Sequence, residues 1–281
     1  MSALIDTTRG ELLRMRKWPA VWVTLGAWIA LALMFGYLFG YLSYKTGDAN
    51  FAEEGRTQAA ILNDLLPAAI PDVLVQGTPM FGGALMMVLG AIVAGNGYGW
   101  GTWKTLFTQG PSRTTTVTGS LVALTGFVIA TVLATLVVYA GVSSLIAISE
   151  SRDLVWPAAS DLARSVGGGT LVLEMWALAG FALGTVARGP ALSVGLGLVW
   201  ALVIENLLRG VGELLGPVKA LTEVLPGTAA GSLVNALLNG ATDTPGVVDV
   251  LSGPRALVTV AVYAVLFPAA AVLLVRKRDV T

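Results

Sequence analysis

The sequence of 281 residues contains neither cysteine nor histidine. Thiolate nucleophiles, disulfides, imidazole metal ligands and histidine-based proton transfer are therefore outside its inventory. Carboxylates, hydroxyls, lysines and arginines are what is left for chemistry. Most of the acids stand in polar stretches, but Glu174 and Glu205 fall inside long apolar runs. An ionisable side chain in such a run is a functional hypothesis by default, because a charge in hydrocarbon is costly. Arg209 follows Glu205 by four residues, a spacing that predicts a local ion pair on one helix face. Glu174 has no opposite charge within a turn, so it is expected to line a cavity or to meet another helix. No Ser-Lys or paired-Asp arrangement is placed within the spans. No G-x-x-x-x-G-K-[ST] phosphate loop occurs either, since Gly167-Gly168-Gly169-Thr170 lacks the lysine. No catalytic residue, metal ligand or resident cofactor is expected, and nothing points to nucleic acid.

The elements that position these residues follow from composition. Hydrophobic residues make up 55% of the chain and charged residues 12%, roughly half the charge content of a soluble domain. Uncharged stretches of about twenty residues recur, each long enough to cross a hydrocarbon core of roughly 30 Å. The predicted fold is an all-α polytopic membrane protein, a single transmembrane domain over 1–281. Its six spans are placed at 18–44, 77–95, 117–148, 167–187, 191–208 and 256–275. The first is too long and too aromatic for a cleaved leader, so it reads as a retained helix behind an amphipathic arm, 1–17. The polar stretch after it carries Asp48, Glu53, Glu54, Asp64 and Asp72, and within it ILNDLLPAAIPDVLVQ reads as a short helix lying on the membrane surface. The third span exceeds what a bilayer needs, which implies tilt or projection. The three glycines 167–169 open the fourth span, and Arg188-Gly189-Pro190 turns tightly into an antiparallel fifth. Pro226 and Gly227 break the apolar piece within 209–255, so this segment is expected to dip into the membrane and return before the sixth span. Gly36-x-x-x-Gly40 and Gly180-x-x-x-Gly184 permit close helix approach, a dimer contact included.

Charge placement predicts orientation. With both termini cytoplasmic, ten basic residues fall on short inner segments, against seven on longer outer ones. The positive-inside rule favours that arrangement. Twelve acids then lie outside and three inside.

On this reading the segment 96–116 is a cytoplasmic loop. It holds Gly99, Trp100, Gly101, Thr102, Trp103 and Lys104, followed by Leu106 and Phe107, and closes on Pro111-Ser112-Arg113. Two tryptophans with a single charge make a surface suited to a protein partner. The alternative is a helix anchored in lipid by those rings. GELLRMRKWPAVW entering the first helix, GWGTWKTLFTQGPSR after the second, six helices with a re-entrant segment before the last, and RKRDV at the end together resemble the type 2 ABC-transporter permeases. The resemblance covers essentially the whole chain. It implies a permease subunit of a bacterial ATP-driven exporter in the cytoplasmic membrane, dimeric with a copy of itself or with a related permease. It implies that Gly99 to Arg113 is the coupling helix that docks on a separate ABC ATPase, with ATP and Mg on that partner. One departure stands out: where the family often has an acid upstream of the Gly-Thr pair, Asn96 is the nearest polar residue here. The competing expectation from the residues themselves is a proton-coupled secondary transporter using Glu174 or Glu205.

Overall fold

Pro19, Pro71, Pro79, Pro190, Pro226 and Pro254 each stand in the first turn of a helical segment, where a missing N–H costs nothing, and Ser112 caps a further helix by accepting the Thr115 N–H on Oγ at 3.1 Å. The computed structural model describes residues 2–47, 56–108, 110–212, 215–240 and 244–278. Asp48, Glu53, Glu54, Glu213, Asp243 and Asp279, all part of the charge balance above, lie outside them. The helices are α1 (Ser2–Lys17), α2 (Pro19–Thr46), α3 (Gln58–Asn63), α4 (Ile70–Gln76), α5 (Thr78–Gly99) and α6 (Thr102–Thr108). They continue with α7 (Arg113–Ser149), α8 (Ala159–Ala187), α9 (Pro190–Gly212), α10 (Gly216–Thr222), α11 (Pro226–Leu237) and α12 (Gly253–Lys277). No strand occurs among the described residues. Six helices, α2, α5, α7, α8, α9 and α12, are long and apolar enough to cross a membrane. Three of them contain a π turn: Met34–Leu38 in α2, Thr78–Gly82 in α5 and Val199–Ile204 in α9.

The pair α5 and α8 forms the centre of the bundle. In their most apolar windows 67% and 72% of residues are buried, against 17% in α9 and α12, which therefore form the periphery. Glycines let the two central backbones touch. A Cβ at Gly90 would stand 1.9 Å from the Ala177 carbonyl oxygen, and one at Gly180 would stand 1.9 Å from that of Met87. Gly184 sits on Ala91 in the same way, at 2.7 Å. The Gly180/Gly184 pair is thus filled within the chain, as is Gly36/Gly40, which Val73 and Leu65 cover. Both pairs therefore seat other parts of the same chain.

Several segments differ from the sequence reading. The fourth span starts at Ala159 rather than 167, so the three glycines lie inside α8. There they admit two short helices, with Leu237 of α11 against Gly168 and Val75 of α4 against Gly169. The helix α4, read as lying on the membrane surface, is instead wedged into the bundle with Ile70, Val73, Leu74 and Val75 buried. The second span runs to Gly99, four residues beyond the expected end, and the third begins at Arg113 rather than 117. In the segment before the sixth span, α11 is buried from Thr228 to Val234 and packs on α12 and α8. At twelve residues this buried helix is too short to cross a membrane.

At the end of the bundle away from α1, α7 is tied to α2. The Tyr41 hydroxyl donates to Glu150 Oε1 at 2.9 Å, that of Tyr44 donates to Oε2 at 3.0 Å, and Lys45 Nζ lies 2.6 Å from Oε1. The Lys45 ammonium, and then the Tyr41 hydroxyl, hold the Glu150 carboxyl below the ordinary carboxylate range. A folded value below the unfolded one gives stability that is present above the unfolded pKa and lost as pH falls through the folded pKa. The melting temperature of the detergent-solubilised chain is therefore expected to fall on acidification from about pH 7 towards pH 3. A Glu150→Gln variant should show a shallower fall. Identical slopes for the two proteins would show that the latch contributes nothing.

Candidate functional site

The loop expected at 96–116 is a turn, the two-turn helix α6 and a second turn. Gly101 adopts φ +67° between α5 and α6, a left-handed position that glycine occupies without strain. Trp103 faces inward and is only 3% exposed, with Nε1 donating to the Ala94 carbonyl at 3.1 Å. Its ring lies across Gly97, where any Cβ would meet it, and stacks on Phe107 with centroids 5.6 Å apart. Trp100 is 67% exposed and rests edge-on against Trp18 of the first span at 6.0 Å. The outward surface of α6 is thus Trp100, Lys104, Thr105 and Thr108. The surface predicted to present two tryptophans presents one, and the other rivets α6 to α5. Of the remaining predicted residues, Gly99 ends α5 beside Pro190, Thr102 starts α6, and Arg113 starts α7. Arg113 donates from Nη1 to the Arg278 carbonyl at 3.0 Å and lies 5.7 Å from the Phe107 ring, which places it at the end of α12.

Trp103→Ala is expected to cost about 3–5 kcal/mol of stability, the range for emptying a buried tryptophan site. Trp103→Phe keeps most of the ring and loses the hydrogen bond, about 1 kcal/mol. Trp100→Ala should change little. Thermal melts of the three purified variants check the order, and equal losses for Trp103→Ala and Trp100→Ala would contradict the inward placement.

Beside α6 lies α1. Glu11 and Met15 are buried against α7, where Thr7 sits on Gly119, while Leu4, Ile5, Leu12 and Leu13 are exposed among Arg9, Arg16 and Lys17. Arg14 pairs with Glu11 at 2.8 Å, yet burial pushes the Glu11 carboxyl above its usual range. A cleft of about 560 Å³ separates α1 from α6, with Asp6, Gly10, Arg14, Thr102, Leu106 and Pro111 among its walls.

The two intramembrane carboxylates have different surroundings. Glu174 lies about 20 Å along α8 from Ala187, where its Oε1 accepts the Thr125 hydroxyl of α7 at 2.6 Å. Its Oε2 is buried without a partner among the described residues. The expectation that it meets another helix holds. Glu205 is fully buried and does not pair with Arg209, for no Glu205–Arg209 contact reaches 4 Å. The Trp200 indole donates to its Oε1 at 2.8 Å, and its Oε2 lies against Gly227 at the open first turn of α11, beside the amides of Gly227 and Thr228. Arg209 turns to Asn206 instead, at 2.6 Å. The i,i+4 rule describes exposed helix surfaces. Here the carboxylate faces the N–H groups of a helix N-terminus, which favour negative charge, although its Oε2 closes no hydrogen bond among the described residues. Thr125, Trp200 and Thr228 carried no mark in the sequence, and Gly227 only that of a chain break, because their role comes from residues that meet only in the fold.

Among the described residues no group of three or more acids could hold a metal ion. No family model matches the sequence, and no curated protein matches it. What the fold defines is the class: a multi-pass, all-helical membrane protein with six helices long and apolar enough to span.

Proposed function

We propose that this chain is the permease subunit of an ATP-driven exporter in the bacterial cytoplasmic membrane. In this reading it pairs with a second permease, and both are driven by separate ABC ATPase subunits. The amino-terminal face is cytoplasmic, and closure of the ATPases on nucleotide moves α6, which passes the displacement to α5 through Trp103. The observation that carries the reading is α6 itself: a short helix between the second and third spans, rigidly joined to α5 by a buried tryptophan, with Trp100 and Lys104 turned outward. An outward tryptophan beside one cation suits docking, and the inward one suits transmission of force. The exposed apolar side of α1 and its basic residues suit contact with the inner leaflet. The chain does no chemistry in this scheme, and its carboxylates are structural.

Affinity purification of the tagged chain from its native membrane tests the proposal. An ABC ATPase should co-purify, and Trp100→Ala with Lys104→Glu should release it while the permease keeps its melting temperature. Trp103 is not the residue to change, since its loss would damage the fold. Absence of any ATPase in several mild detergents would sink the reading.

A second reading has one observation in its favour. Glu174 keeps a buried carboxylate oxygen unpartnered among the described residues, as a proton-accepting group would. A proton-coupled secondary transporter would move substrate in liposomes from this chain alone and stop on Glu174→Gln. Glu205 shares the feature, since its Oε2 is also buried without a hydrogen-bond partner among the described residues, but its Oε1 is held by the Trp200 indole of its own helix.

A further inference from the structure

Arg209 has no task in either reading. Its Nη2 donates to Asn206 Oδ1, but its Nη1 is buried and has no acceptor among the described residues. The side chain lines a cleft of about 560 Å³ between the end of α9, α10 and the chain leading to α12, together with Asn206, Lys219, Thr222, Val248 and Asp249. Lys219 is exposed and has no carboxylate within 4 Å among the described residues. Asp249 is the one acid lining the cleft among those residues, and Glu205 is turned towards Trp200 and α11. A guanidinium has five donors and no acceptor, so a buried nitrogen left unpaired is costly unless something supplies oxygen. Guanidinium and ammonium on one cleft call for an oxyanion.

The surroundings narrow which oxyanion. Arg209 lies three residues before Gly212, the end of α9, at the end of the bundle opposite α1; the end of a spanning helix is where a membrane's apolar core gives way to its headgroups. Leu207, Leu215, Leu221 and Val224, close in sequence to the cleft residues of α9 and α10, are all exposed. A dissolved anion has no use for exposed leucines on the helices that bind it. A phospholipid offers the two features together, a phosphate at the interface and acyl chains beside it. We propose that this cleft binds the phosphodiester headgroup of a phospholipid in the leaflet opposite α1. Arg209 and Lys219 hold the phosphate oxygens, Asp249 accepts from a headgroup hydroxyl or ammonium, and the acyl chains lie along the leucines of α9 and α10. The proposal does not depend on the exporter reading.

Native mass spectrometry of the full-length chain in detergent tests it. The titrants are phosphatidylglycerol, phosphatidylethanolamine and a diacylglycerol with the same chains, with inorganic phosphate as competitor. Both phospholipids should be retained in preference to the diacylglycerol. Lys219→Glu should weaken them roughly tenfold, and Arg209→Gln at least as much. Arg255→Gln, which removes a guanidinium paired with Glu223 at 3.0 Å, should bind as the wild type does. Equal retention of diacylglycerol, or wild-type binding by the Lys219 and Arg209 variants, overturns the proposal. Inorganic phosphate that binds alone and displaces lipid supports the phosphate chemistry but overturns the lipid as its source, and binding of acidic peptide with no lipid preference overturns both. If Arg209→Gln does not fold, the exposed Lys219 still decides.

Discussion

Gly180→Val is expected to abolish the folded bundle, or to lower its melting temperature more than any other single glycine change outside this helix contact. The added Cβ would lie 1.9 Å from the Met87 carbonyl oxygen and 2.9 Å from the Ala91 nitrogen, and both atoms belong to the α5 backbone. No rotamer change relieves a clash with backbone, so α5 and α8 must separate. Overpacking of a core costs typically about 1–3 kcal/mol. Here separation also loosens the reciprocal seat of Gly90 on Ala177, which puts the expected loss at or above the top of that range. Gly126 and Gly195, with nothing within 4 Å of their Cβ positions, are the controls. Alanine there should leave the melting temperature unchanged or slightly raised, as helix propensity dictates. The comparison also tests the intrachain assignment. If Gly180 served a dimer interface, its valine variant would melt like the wild type and differ only in oligomeric state.

Glu205→Ala should cost about 2–5 kcal/mol, the scale for emptying a buried side-chain site of this size. The Trp200 indole loses its acceptor, and the first turn of α11 loses the carboxylate that faces it. Glu205→Gln retains an acceptor of similar volume and should cost about 1–3 kcal/mol. The damage should be local. Hydrogen exchange in the Ala variant should accelerate over Pro226–Leu237 while α5 and α8 stay protected. Unchanged exchange in α11 would mean that the carboxylate does not hold it. A Gln variant that folds as the wild type but fails to transport would instead give Glu205 the coupling role.

The spans were legible because they depend on composition alone, and a run of uncharged residues long enough to cross a membrane has few other uses. Their ends were harder, for one physical reason. Asn96-Gly97-Tyr98-Gly99 reads as a chain breaker by the rules of water-soluble helices, which places the start of the loop at 96. In the bundle Gly97 continues the helix and clears space for the Trp103 ring, and Gly99 sits beside Pro190. Glycine there serves close approach. The same error hid the first turns of α8, since 167–169 looked like a beginning when it is the seat for α4 and α11. The helix α4 looked superficial because Pro67 and Pro71 interrupt its pattern, yet both prolines fall at starts of short helices, where they are tolerated. For the candidate site, the position of α6 was readable and the direction of its side chains was not. Trp100 and Trp103 are three residues apart, which in one uninterrupted helix would put them on the same side, but Gly101 breaks the helix between them.

The π turns have a consequence for how this chain tolerates changes in length. A π turn spends one residue more than an α turn over nearly the same rise, so α2, α5 and α9 each carry a spare residue at a known place. Removing one residue from Val199–Ile204 lets that turn relax to α geometry, and Pro190 and Glu205 keep the faces they now present. Removing one from the regular part of α9 rotates everything beyond it by about 100° and carries Glu205 away from α11. Each of these three spans therefore has its own slack, stored where a deletion can be absorbed without turning the far half of the helix.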